Sequence, residues 1–237
     1  MSLSINEKRL LKDVININKH PLTEHGIFYI HDSDNIKKGY ALIIGPKDTI
    51  YSHGMYFFEF NYPNDYPFSP PKVTYLTNGE GVRFNPNLYR SGKVCISILN
   101  TWNGPQWSSC QTISSVLLTL TTLFHNKPLL NEPGLTESHR SFKDYNKIIR
   151  YSSIKVALLS VLNKKICVGE YDKFKSYIID YVNKNKQDII DDIVTIDSFL
   201  VASKKTYITT AVYNINLRCL KRGKLLKIFN ETFQSLN

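Results

Sequence analysis

Four short runs rich in β-branched and aromatic residues follow one another early in the chain, and they constrain the fold more than any other feature. The runs cover residues 26–30, 40–44, 55–60 and 72–76. Turn-forming residues separate them at Asp32-Ser33-Asp34-Asn35, at Gly45-Pro46 and between Tyr62 and Pro67. Runs bounded in this way are typical of strands joined by turns. The pattern predicts a four-stranded meander.

Helices are predicted on both sides of this meander. Apolar residues recur at helical spacing from about Asn6 to Asn18, from Thr112 to Phe124 and from about Tyr145 to Leu162. Between the meander and the second helix, Thr77 to Leu99 has no period and several glycines, and long ordered loops of this kind usually carry function. The predicted class is therefore α+β.

The residue pattern and composition change in the last third of the chain. Helical patterning continues there, with no strong strand signal, and Lys and Arg become frequent. We place a boundary near residue 165, which divides the chain into a core, 1–165, and a helical, basic C-terminal extension, 166–237. The extension carries many large apolar side chains, so part of it is expected to pack against another surface.

The charge balance is basic, with 30 Lys+Arg against 20 Asp+Glu and a formal net charge of +10 over 237 residues. A solvated face of the extension is the favoured interpretation of the basic runs, and contact with an acidic partner, a membrane surface or nucleic acid is the alternative. No nucleic-acid-binding motif supports that alternative. No apolar run of membrane-spanning length and no signal peptide is present, so we expect a cytoplasmic or nuclear protein.

The four cysteines suggest neither a disulfide framework nor a metal site. They form no C-x-x-C pair and have no metal-like spacing with His, and they are Cys95, Cys110, Cys167 and Cys219. One of them is a candidate nucleophile.

Several motifs around Cys95 occur in a fixed order. They are Tyr66-Pro67-Phe68-Ser69-Pro70-Pro71-Lys72-Val73, Arg83-Phe84-Asn85-Pro86-Asn87-Leu88-Tyr89, Gly92-Lys93-Val94-Cys95-Ile96-Ser97-Ile98-Leu99 and Trp107-Ser108. This order closely resembles the ubiquitin-conjugating enzymes, whose catalytic cysteine follows the Asn of a His-Pro-Asn element by the same spacing as Cys95 follows Asn87. The resemblance implies that family's fold over about residues 5–162.

Two further motifs resemble an enlarged branch of the family, which has R-F-N-P-N and a C-terminal extension. They are Thr101-Trp102-Asn103-Gly104-Pro105-Gln106-Trp107-Ser108 and Asn131-Glu132-Pro133-Gly134. Some members of that branch are charged by a specialised activating enzyme and can carry a ubiquitin-like modifier.

Cys95 is the predicted acyl carrier, because a thioester is reactive towards amines and splits one transfer into two steps. A Cys-His hydrolase stays open at this stage, since His53 or His125 could approach Cys95 in the fold. A structural cysteine in a buried strand is the other alternative.

The resemblance assigns two further catalytic residues. Asn87 would stabilise the negative charge on the attacked carbonyl or hold the loop, and its alternative is a turn-forming Asn. Glu132 would orient and help to deprotonate the attacking lysine, and its alternative is a solvated loop acid. Asn85 replaces the family's usual His, a departure that concerns loop packing more than chemistry, and Ser97 stands where many relatives have Asp.

Partner contacts follow from the same resemblance. Phe68 would contact the activating enzyme and the ligase, although core packing is its alternative. Ser109 and Cys110 depart from the usual Ser-Pro-Ala, which makes recognition of ordinary RING-type ligases doubtful. The first helix would add basic residues, namely Lys8, Arg9 and Lys12.

The leading hypothesis is a ubiquitin-conjugating transferase without metal or organic cofactor, with ATP consumed by the activating enzyme upstream. Its partners would be ubiquitin or a ubiquitin-like modifier, an activating enzyme, and a ligase or protein substrate. A catalytically inactive module of the same fold that presents ubiquitin or scaffolds a partner is the second hypothesis. A third hypothesis rests on the basic extension and makes the domain an adaptor for acidic partners or nucleic acid, which a steep salt dependence of binding would favour.

Overall fold

The structure is a computed structural model that describes residues 4–203 and 206–236, with the backbone alone described for 199–203. The helices are α1 (Ile5–Lys19), α2 (Ile113–Thr121), α3 (Phe142–Ser152), α4 (Val168–Lys184), α5 (Lys186–Ser203) and α6 (Lys224–Leu236). The strands are β1 (Ile27–His31), β2 (Lys38–Ile44), β3 (Met55–Asn61), β4 (Lys72–Tyr75), β5 (Tyr207–Thr210) and β6 (Ile215–Arg218). Within the described residues, no helix has both the length and the apolar composition needed to cross a bilayer.

The predicted meander is confirmed. Strands β1 to β4 form one antiparallel sheet in chain order. The first helix also forms as predicted, and a reciprocal cap at its start explains why it begins at Ile5. The Glu7 main-chain N–H donates to Ser4 Oγ over 3.2 Å, while the Ser4 main-chain N–H donates to Glu7 Oε2 over 2.8 Å.

Both faces of the sheet are covered. Successive side chains of a strand point to opposite faces, so the neighbours Tyr56 and Phe57 of β3 show what covers each face. On one face, the Tyr56 ring stacks on Phe124, just after α2, with 4.5 Å between centroids. On the other face, Phe57 lies 6.0 Å from Phe174 of α4. The extension therefore buries a face of the sheet that the core leaves open, which confirms that its large apolar residues pack.

The extension is helical as predicted, with α4, α5 and α6, but it also contains two strands that the sequence pattern did not indicate. Strands β5 and β6 pair as an antiparallel hairpin, with Ile208 opposite Leu217. Each strand has only four residues, too short a segment for a periodicity signal, and its buried side chains pack against the rest of the protein. The π-helical turns Ser153–Ser160 continue α3. The boundary predicted near residue 165 falls between these turns and α4. The division into two domains stays a prediction.

A charged cluster joins the extension to the core. Asp192 of α5 accepts from Arg150 Nη2 of α3 at 2.5 Å and lies 3.2 Å from Nε2 of His53, in the loop between β2 and β3. The other ring nitrogen of His53 is 2.8 Å from the Tyr181 hydroxyl of α4. Burial works to raise the pKa of Asp192, but the hydrogen bond from His53 and the charge of Arg150 outweigh it and hold that pKa below its ordinary 3.8.

Because of this cluster, we expect the attachment of the extension to the core to be sensitive to acid. A carboxyl group whose pKa is lower in the folded state stabilises the fold above its unfolded pKa, and that contribution is lost as pH falls through the folded pKa. Asp192→Asn is therefore expected to flatten the dependence of the free energy of unfolding on pH below about pH 5, measured by urea titration. Asp191→Asn, on the exposed side of the same helix, is the control. An unchanged pH dependence in Asp192→Asn would contradict the prediction.

Candidate active site around Cys95

Cys95 lies on an extended segment that is tied to the loop before it. Its main-chain N–H donates to the carbonyl of Asn87 over 2.9 Å, and Leu88 forms a β-bridge with Val94. A second bridge joins Lys93 to Thr74 of β4. The predicted irregular stretch is thus an ordered loop fastened to the edge of the sheet.

Asn87 and Cys95 are brought together, as the motif spacing predicts. Asn87 Nδ2 donates to the Cys95 carbonyl over 2.6 Å. Asn87 Oδ1 is buried and has no hydrogen-bond partner among the described residues. Because Nδ2 carries two N–H groups, one of them is left for a further acceptor.

Asn85 organises the loop from behind. It is fully buried, and its Oδ1 accepts from the Asn87 main-chain N–H over 2.9 Å and from Asn131 Nδ2 over 3.3 Å. Its Nδ2 donates to the Leu123 carbonyl over 2.8 Å. These contacts connect the end of α2, the turn before Glu132 and the Asn87 loop, so the residue that replaces the usual His has a packing role.

Thr101 holds the segment on the other side of the cysteine, and sequence reasoning missed it. Its Oγ1 donates to the Val94 carbonyl at 2.8 Å and accepts from the Ile96 main-chain N–H at 3.0 Å. The loop that begins there returns over Ser97: Gly104 has φ +129°, and a Cβ at this position would lie 3.1 Å from Ser97 Cβ. Only glycine suits that backbone and that approach.

The burial of the four thiols separates them. Cys95 is 2% exposed, while Cys110 is exposed. Burial raises the pKa of the Cys167 thiol to about 12 and also raises the pKa of Cys219 above its ordinary value, so both stay protonated at neutral pH. The Asn87 side-chain amide bonds to the main-chain carbonyl of Cys95.

Neither candidate histidine meets Cys95. His53 belongs to the charged cluster with Asp192, and His125 Nε2 lies 3.1 Å from Asn131 Oδ1. No hydrogen bond from either ring to Cys95 occurs in the described part of the chain. The structure therefore gives no Cys-His pair of the kind that the hydrolase alternative requires.

Glu132 is contacted by the C-terminal extension. The Tyr213 hydroxyl, at the tip of the β5–β6 hairpin, donates to Glu132 Oε2. Burial and the Glu132 carboxylate raise the pKa of Tyr213, so the phenol stays a donor. Sequence reasoning missed Tyr213 because it missed the hairpin, although the run Tyr-Ile-Thr-Thr from residue 207 has the residue types of a strand.

Some of the predicted partner residues are exposed, and one is engaged in contacts within the chain. Phe68 is 72% exposed, so it is not a core residue. Lys8 and Lys12 are exposed on α1. Arg9 instead donates to the main-chain carbonyl of Ser109 over 2.7 Å and lies 3.2 Å from Asp13, which fastens α1 to the loop that carries Ser109 and Cys110.

The fold and the Cys95 loop define the class of protein. A model of the family described as ubiquitin-conjugating enzyme matches residues 9–152, and the chain belongs to this family. It is similar to ubiquitin-conjugating enzyme E2 Z of Xenopus tropicalis, with 45% identity over 160 residues that cover 66% of this chain and 50% of the relative. The human E2 Z is 44% identical over 160 residues, covering 66% of this chain and 45% of the relative.

The chain thus spans about half the length of these curated relatives. Among solved structures, human ubiquitin-conjugating enzyme E2 G1 is similar with a TM-score of 0.46 and 27% identity, over 52% of this chain and 98% of that chain.

Proposed function

We propose that this chain accepts ubiquitin or a ubiquitin-like modifier from an activating enzyme as a thioester on Cys95 and passes it to a lysine or to a ligase. The observation that carries the proposal is the pairing of Cys95 with Asn87, whose amide lies against the cysteine main chain at 2.6 Å. We also propose that this activity takes place in the cytoplasm.

The proposed chemistry has two steps. The Cys95 thiolate attacks the thioester carbonyl of the charged activating enzyme, a new C–S bond forms, and the activating enzyme's thiolate leaves. A lysine amine then attacks the same carbonyl, an amide forms, and the Cys95 thiolate leaves. Each step passes through a tetrahedral oxyanion, which the second N–H of Asn87 Nδ2 would stabilise.

The lysine must lose a proton to attack, because its reference pKa is about 10.4. Glu132 is proposed to accept that proton or to orient the amine. The reaction needs no metal or organic cofactor, and ATP is used upstream by the activating enzyme. Its partners are the modifier, the activating enzyme, and a ligase or protein substrate.

One observation favours the second hypothesis, a non-catalytic module that presents ubiquitin. Cys95 is 2% exposed, and a carrier thiol must be reached by the donor thioester. Loading of Cys95 separates the two functions, because a presenting module binds the modifier without a covalent bond.

The test is a charging reaction with ATP, ubiquitin or a ubiquitin-like modifier, and each of several activating enzymes, followed by peptide mapping of the adduct. We expect a reductant-labile adduct on the peptide that contains Cys95. An adduct on the peptide that contains the exposed Cys110, or binding without any adduct, would reject the proposal. The mapping matters because the most exposed thiol is the first candidate for nonspecific loading.

A further inference from the structure

The tip of the β5–β6 hairpin has an unusual backbone. Tyr213 and Asn214, neither of them glycine, follow each other with φ +60° and +49°. A left-handed conformation costs a residue with a side chain about 1 kcal/mol or more, so it persists where surrounding contacts hold it. At Tyr213 those contacts come from α3, from the segment of Glu132 and from the ordered loop Thr77 to Leu99, which we call the active-site loop.

Tyr213 is clamped against the active-site loop. The guanidinium carbon of Arg83 lies 4.2 Å from the centroid of the Tyr213 ring and 3.8 Å from the centroid of the Tyr89 ring. The Tyr213 main-chain carbonyl accepts from Arg90 Nη2 over 2.7 Å. The Tyr145 ring of α3 lies edge-on at 5.8 Å. Arg83 also donates to the Pro86 carbonyl, directly before Asn87, so the clamp and the Cys95–Asn87 pair share one loop.

The Tyr213 hydroxyl engages one oxygen of the Glu132 carboxylate. It donates to Oε2, and no donor to Oε1 occurs among the described residues. A hydrogen bond to a carboxylate is among the stronger ones in proteins and fixes the orientation of the group. The bond to Oε2 leaves Oε1 of Glu132 as the acceptor for an incoming lysine ammonium.

We propose that Tyr213 is a positioning residue for the transfer step: its hydroxyl fixes Glu132 so that Oε1 accepts from the attacking lysine. The inference rests on the proposed function and gives the C-terminal extension a part in it. In the step concerned, the lysine ammonium gives one proton to Oε1 and the neutral nitrogen attacks the thioester carbonyl. The amide then forms as the Cys95 thiolate leaves, and the second proton on the nitrogen is released to water.

Tyr213→Phe is the variant that isolates the hydroxyl, since it keeps the ring on Arg83. Its matched control is Tyr207→Phe, a half-exposed tyrosine on the same hairpin. The assay loads each variant with the modifier, quenches the activating enzyme, and follows discharge to free lysine at increasing lysine concentration, with each rate normalised to the loaded thioester. Both variants are repeated in a Glu132→Gln background.

We expect Tyr213→Phe to lower the kcat of discharge about tenfold, the effect of one hydrogen bond to a charged group, with a smaller change in the KM for lysine. Tyr207→Phe should discharge at the wild-type rate. In the Glu132→Gln background, Tyr213→Phe should have no further effect, which a merely structural role would not produce.

Discharge of Tyr213→Phe at or above the wild-type rate would overturn the inference. So would an equal slowing in the Glu132→Gln background, because the hydroxyl would then act without the carboxylate. A wild-type protein that forms no reductant-labile thioester would overturn the proposed function together with the inference, and that outcome is visible before any lysine is added.

Discussion

Cys95→Ala is expected to abolish the covalent adduct with the modifier, and Cys95→Ser to convert it into one that survives reductant. Alanine has no nucleophile, so no acyl bond forms. A serine hydroxyl forms an ester, whose alkoxide is a far poorer leaving group than a thiolate, so the adduct accumulates and discharge to lysine falls below detection. Gel shift with and without reductant, with a lysine discharge assay beside it, measures all three effects.

The matched control is Cys110→Ser, because Cys110 is the exposed thiol and is free in the structure. This variant should load and discharge like the wild type. A reductant-labile adduct that persists in Cys95→Ala and disappears in Cys110→Ser would transfer the carrier role to Cys110. Circular dichroism spectra of the Cys95 variants check that the buried site still folds.

Asn87→Ala is expected to slow discharge of the loaded thioester to lysine by about 10²- to 10³-fold, the usual loss when one oxyanion donor is removed. The same change breaks the 2.6 Å bond to the Cys95 carbonyl. It should therefore also lower the free energy of unfolding by about 1–3 kcal/mol, since the buried carbonyl is left unpaired. Single-turnover discharge and urea titration measure the two effects separately.

Asn85→Ala separates catalysis from loop support. Asn85 makes at least three hydrogen bonds within the loop network but none to Cys95. We expect Asn85→Ala to lower the free energy of unfolding about as much as Asn87→Ala does. Its loaded thioester should nevertheless discharge to lysine much faster than that of Asn87→Ala. If the two variants slow discharge equally for equal losses of stability, Asn87 supports the loop and supplies no oxyanion donor.

The meander, the first helix and the Cys95–Asn87 pair were all predictable because their signals are local. Strand runs are bounded by turn residues, α1 has its cap and its apolar spacing within one segment, and Asn87 pairs with Cys95 across only eight residues, with the bridge Leu88–Val94 between them. The family resemblance rests on the same short stretches. Local patterns of this kind survive in any tertiary context that buries their apolar face.

The contacts of Arg9 and Glu132 could not be predicted, because their partners lie far away in the sequence. Arg9 looked like a free basic residue on a helix, but it binds the main-chain carbonyl of Ser109, which is 100 positions away in the chain. Glu132 looked like a loop acid near the reaction, and it is held by a tyrosine 81 positions further on. No periodicity links residues so far apart.

The sequence by itself determined the class of protein, the order of the core elements and the identity of the candidate nucleophile. Tertiary structure alone decided that α4 covers the second face of the sheet and that a hairpin of two four-residue strands brings Tyr213 to the rim of the site. The physical reason is that such short strands gain their stability from the surfaces they pack against, so their own residues indicate at most a strand and not its pairing or its contacts.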